Sequence, residues 1–168
     1  MQNAKDTFYE ALRSRIAAGN PERTIVLRGQ VRPGVLVEEN ELVTTVTMPD
    51  CLRLRWDEAS VDAANAMPLV ALRCEILYET AGTAGNGGMD RGRALAAMDA
   101  ELAAAVNACP QFVVKQSYAA LASGGSTVAM NTNVWWGDVA FGTAQVKADR
   151  VARTATVMVM SYQEAGEL

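Results

Sequence analysis

Apolar residues recur along this chain with two different periods, and the change from one to the other predicts most of its elements. Ala4, Phe8, Ala11, Leu12 and Ile16 stand three and four apart, the stripe of an amphipathic helix over residues 4–18, with Asn3 placed to cap it and Gly19-Asn20-Pro21 to stop it. Leu95, Met98, Leu102 and Val106 repeat that spacing in an alanine-rich stretch, which predicts a second helix from an Asp90 cap to Asn107, ended by Cys109-Pro110. Elsewhere the period falls to two. Val70, Leu72, Cys74, Ile76 and Tyr78 alternate with Arg73, Glu75 and Glu79, so residues 69–78 predict a strand with one buried face.

The remaining segments are shorter or less regular. Residues 24–31 are apolar and β-branched, and Pro33-Gly34 separates them from Val35-Leu36-Val37, as two short strands or one bent strand would require. Val43, Thr45 and Thr47, then Leu52, Leu54 and Trp56, alternate with their neighbours around Met48-Pro49-Asp50, which predicts a hairpin. Residues 57–67 are polar and alanine-rich, a short helix or a loop. Residues 112–118 read as a strand, Ser123-Gly124-Gly125-Ser126 as a turn, and residues 127–141 show less periodicity. In residues 153–162, Ala155, Val157 and Val159 share one face and Thr156, Met158, Met160 and Tyr162 the other. An apolar centre on both faces predicts burial on both sides, in the middle of the monomer or at a subunit contact.

With 168 residues, half of them hydrophobic, the chain suffices for one core and is expected to form one domain over 1–168. A net charge of −4 with scattered basic residues weighs against a general nucleic-acid binder. No stretch approaches the roughly 18 apolar residues of a membrane helix, and the polar opening does not resemble a signal peptide, so no membrane association or secretion is expected. Histidine is absent altogether, which removes Ser-His-Asp and Cys-His catalysis and most zinc sites. Cys51, Cys74 and Cys109 are odd in number and widely spaced, and read as small buried hydrophobes in a reducing compartment.

One stretch invites a chemical reading. Gly82 to Gly92 follows a strand and opens a helix, the placement of a phosphate loop. Against the P-loop pattern, Gly82 and Gly87 fit, but Gly88 stands where lysine should be and Met89 where Ser or Thr should be. Against the dinucleotide pattern, Asp90 replaces the third glycine and would repel a pyrophosphate, so a mobile connecting loop is expected, with Arg91 and Arg93 solvated. Glu38, Glu39 and Glu41, and Asp57 with Glu58, are expected to be solvated charge. Trp56, Trp135 and Trp136 lack interleaved basic residues and read as core or subunit-interface packing rather than a nucleic-acid platform. No residue is assigned to catalysis, to a cofactor or to a metal.

The order of elements resembles the tail-terminator, or tail-completion, proteins of long-tailed bacteriophages. The resemblance rests on Phe8-Tyr9-Glu10-Ala11-Leu12-Arg13 in the first helix, the Arg32-Pro33-Gly34-Val35-Leu36-Val37 strand and the Leu72-Arg73-Cys74-Glu75-Ile76-Leu77-Tyr78 strand. A loop and the helix from Asp90 to Asn107 follow, and the chain closes on Ala155-Thr156-Val157-Met158-Val159-Met160-Ser161-Tyr162-Gln163-Glu164. It covers nearly the whole chain and depends on pattern and length rather than on a motif. It implies an α+β subunit, a mainly antiparallel sheet with two principal helices packed on one side. It also implies a homo-oligomeric ring, commonly a hexamer, that caps the tail tube, meets the head connector in head–tail joining and needs no cofactor. Such a protein is a structural part of the virion, assembled in the bacterial cytoplasm by a phage or prophage. Residues 112–141 would be added material, which also fits a related neck protein. The alternative class is a small-molecule or nucleotide-binding α+β module, or a histidine-free enzyme working through carboxylates.

Overall fold

The computed structural model describes residues 1–41, 48–64 and 66–167. The chain is α+β. Among the described residues three α-helices (α1 Gln2–Gly19, α2 Glu38–Glu41, α3 Arg91–Asn107) accompany ten strands. A hairpin of β1 (Thr24–Leu27) and β2 (Gln30–Pro33) stands apart from the main sheet, which runs β3 (Val35–Val37), β4 (Leu52–Asp62), β5 (Leu69–Thr80), β10 (Arg150–Tyr162), β7 (Val128–Trp136) and β6 (Phe112–Ser117). Among the described residues only β3 and β4 pair in parallel; β8 (Ala140–Phe141) and β9 (Gln145–Lys147) continue the edge begun by β7 along β10.

The sheet's inner face carries both long helices. Every second residue of β5, from Val70 to Tyr78, is buried there, as the alternation requires, and Ala155, Val157 and Val159 of β10 join them. Phe8, Leu12 and Ile16 of α1 and Leu95, Met98 and Leu102 of α3 close the core from above. Phe8 is its aromatic centre, edge-on to Trp136 at 5.3 Å and to Trp56 at 6.0 Å between ring centroids. Arg15 fastens the two helices. Its guanidinium lies 4.8 Å above the Trp136 ring and donates to the carbonyls of Ala105, Ala108 and Pro110, satisfying acceptors that the end of α3 leaves open.

Several expectations change. Helix α1 starts at Gln2, so Asn3 is inside it and caps nothing; its side chain accepts the Tyr118 N–H and donates to Glu167. The 24–33 segment is two strands, because Arg28 and Gly29 both take positive φ (50° and 78°) and form the tight turn whose twist suits a hairpin. Of residues 57–67, which read as a short helix or a loop, 57–62 continue β4 as strand. Their alternation is invisible because β4 beyond Trp56 is exposed, with no apolar face to mark. The first arm of the hairpin expected over residues 42–56 lies in 42–47, outside the described residues; the described neighbours of β4 are β3 and β5.

The strand β6 hides a charge. A bulge between Val114 and Gln116 leaves Lys115 out of the ladder, and its side chain is fully buried. Its ammonium donates to the Tyr162 carbonyl and to Glu167, both at 2.5 Å, so the segment after β10 is tied across the sheet's end. Glu164 adds to that tie by accepting the Asn131 and Thr132 N–H groups, each at 2.8 Å.

Candidate functional site

The glycine stretch is the first place to look for chemistry, and its geometry turns inward. Asp90 precedes α3 but does not cap it. Its carboxylate reaches back to accept the Thr83 N–H (2.8 Å) and hydroxyl (2.5 Å), and these bonds hold its pKa below the ordinary aspartate value. The anion at this turn is thus the protein's own. Arg91 donates to the Ala81 carbonyl, and the Gly87 and Gly88 N–H groups bond back to Ala84 and Thr83, so the expected mobile link is a hydrogen-bonded turn. Gly82 has φ +72°, and a Cβ there would lie 2.7 Å from the Asp90 carboxylate. Gly82→Ala is expected to cost about 1–2 kcal/mol through the left-handed backbone and this clash, measured by urea denaturation. Gly85, with open space around it, should tolerate alanine.

The dense carboxylates do not converge. Glu38 pairs with Arg53, Glu39 with Lys5 and Glu41 with Arg32, while Asp57 pairs with Arg73 and Glu58 faces solvent. Among the described residues no three Cys, Asp or Glu side chains are grouped as metal ligands. Cys74 is buried in the core and its thiol pKa is pushed up by burial; Cys51 is pushed up to about 11 for the same reason. Cys109, expected to be buried, is exposed, in the connection just past the end of α3. Glu79 is held by Lys147 at 3.0 Å and Arg150 at 2.7 Å. Burial alone would raise its pKa, and the two cations outweigh that and lower it.

Two hollows remain. One, of about 100 Å³, lies over β3, β4, β5, β9 and β10, lined by Leu36, Cys51, Leu77, Arg53 and Lys147. That is small beside the ~300–1,000 Å³ of ligand pockets. The other, of about 490 Å³, runs between the end of α1 and α3 and is lined by Ala18, Ala104, Ala105 and Ala108. Its charged neighbours are engaged: Glu101 binds Arg23 through two bonds of 2.6 and 2.8 Å, and Arg15 caps α3.

The outer face of the sheet is different. Register places Phe112, Trp135, Met160 and Ala71 in one row across four strands, with Tyr162 and Leu69 in the next and Met158 beside Arg73. No helix among the described residues covers them. Phe112 is 49 % exposed and Met158 43 %, and Trp135 lies against Tyr162 at 5.5 Å between ring centroids. The neighbouring part of the face is a charge ladder, Arg55 to Glu75 and Arg73 to Asp57. Adjacent tryptophans therefore have opposite fates. Trp136 is buried and donates its indole N–H to the Val106 carbonyl at 2.9 Å, while Trp135 looks outward. The second apolar face of β10, expected to be buried in the middle of the monomer or at a subunit contact, is open among the described residues. No protein-family model matches the chain, and no curated protein matches its sequence.

Proposed function

We propose that this chain is a structural subunit of a phage or prophage tail, assembling with copies of itself into a ring that terminates the tail tube and joins it to the head connector. The observation that carries the reading is the open outer face around Trp135, Met158, Met160 and Tyr162. Contiguous apolar surface of this kind on a folded chain marks a contact with another macromolecule. Aromatic residues and methionine at its middle, with charge at its side, have the composition of an interface core and rim. The order of elements supports the tail assignment, and the ion pairs that engage Glu38, Glu39, Glu41, Asp57 and Glu79 favour a role without catalysis.

Light scattering coupled to size-exclusion chromatography, followed by negative-stain microscopy with purified tail tubes, tests this. The expected result is a closed oligomer, alone or at tube ends. A chain that stays monomeric to high concentration and leaves the tube ends bare overturns the reading.

A further inference from the structure

The outer side of the molecule carries a second open apolar surface, on the β1–β2 hairpin. Val26 and Val31 stand directly opposite each other in the hairpin's register and are 66 % and 71 % exposed. The other side of the hairpin is occupied: Ile25 and Leu27 pack on Leu36, Met48 and Cys51. Leu36 is two register steps from Leu77, through Arg53, whereas the Trp135 patch centres on the row through Ala71. At ~3.3 Å per residue the two surfaces are roughly 20 Å apart along β5, so the hairpin leaves its own patch open.

Charge distinguishes them. At the hairpin tip Arg28 is exposed and has no ion-pair partner among the described residues. Beside the patch, Glu58 and Asp62 lie opposite Arg73 and Leu69 on β4, exposed and likewise without a cation bound. One surface is a narrow apolar ridge with a free cation, the other a broad apolar face with free anions.

We propose that the hairpin of one copy of this chain seats on the outer sheet patch of a second copy. Val26 and Val31 lie against Trp135, Met158 and Tyr162, and Arg28 meets Glu58 and Asp62. This rests on the self-assembly reading above and names the surfaces that carry it. Ridge and patch occupy different parts of one chain, so each copy can use both, and the contact can repeat around an assembly. Opposite charges at the rim favour this pairing over like with like.

Sedimentation velocity over a concentration series tests it with Arg28→Asn and Val26→Asp. Asn-Gly is a preferred pair for this turn, so Arg28→Asn should leave folding stability unchanged or raised while weakening self-association about three- to tenfold. Val26→Asp should weaken it more than tenfold, with unchanged circular dichroism. Arg28→Glu combined with Glu58→Arg and Asp62→Arg should regain much of what either change loses alone. An assembling wild type whose association is indifferent to all of these overturns the contact and leaves the ring reading standing. A wild type that does not associate, alone or on tubes, overturns the ring reading and this contact with it.

Discussion

Lys115→Ala is expected to destabilise the fold by about 3–5 kcal/mol, because it strands the Glu167 carboxylate in a site where only 4 % of that side chain meets solvent. The lysine side chain is itself fully buried, so the change also opens a cavity at the β6 bulge. Two further variants separate these causes. Glu167→Ala leaves the ammonium with the Tyr162 carbonyl alone and should cost a similar amount. Lys115→Met with Glu167→Leu should recover most of the loss, since a buried pair replaced by apolar groups of similar volume is often neutral or better. Urea denaturation of the four proteins decides it; a Lys115→Ala protein as stable as wild type would mean that the tie is not formed in solution.

The same pair sets an acid response. Burial alone would raise the Glu167 carboxyl, but the Lys115 ammonium, the Glu164 N–H and the Asn3 amide outweigh it and hold its pKa below the ordinary 4.5. A depressed folded-state value contributes stability above the unfolded value and loses it as pH falls through the folded one. Wild type should therefore weaken below about pH 4.5 more steeply than the Lys115→Met, Glu167→Leu double variant.

What the sequence discloses about this fold depends on whether one face of an element is covered. In β5 the inner face meets both helices and the outer carries Arg73 and Glu75, so the alternation is legible from Leu69 to Tyr78; the strand runs on to Thr80, where Glu79 and Thr80 are both buried and the alternation is lost. The α1 stripe is legible for the same reason. In the second half of β4 neither face is covered, and the strand reads as polar irregularity although its backbone pairs with β5 as far as Asp62. Lys115 is illegible for another reason. A lone lysine in a strand pattern reads as surface, and nothing nearby in sequence announces Glu167, its partner 52 residues away. The glycine stretch shows the limit of motif matching. Its failure against the phosphate templates is visible residue by residue, whereas the turn of Asp90 back to Thr83 emerges only once both ends of the loop are placed.

The adjacent tryptophans give the second large effect, because one backbone step carries them to opposite faces of the sheet. Trp136→Ala is expected to cost about 3–5 kcal/mol. It removes the ring that Phe8 packs against and Arg15 covers, and it leaves the Val106 carbonyl without its 2.9 Å indole donor. Trp135→Ala removes a ring of the same size but loses mainly its contact with Tyr162 across the neighbouring strand, and should cost about 1 kcal/mol or less. If the outer face is the subunit contact, the order reverses in the assembly. Trp135→Ala should then weaken self-association at least tenfold, as loss of a central aromatic anchor does, with the monomer still folded. Denaturation followed by circular dichroism, since the substitutions change the fluorophores, gives the first comparison, and sedimentation gives the second. Equal stability losses for the two variants would mean that Trp135 is part of the monomer's own core, and the outer face would no longer be available to a partner.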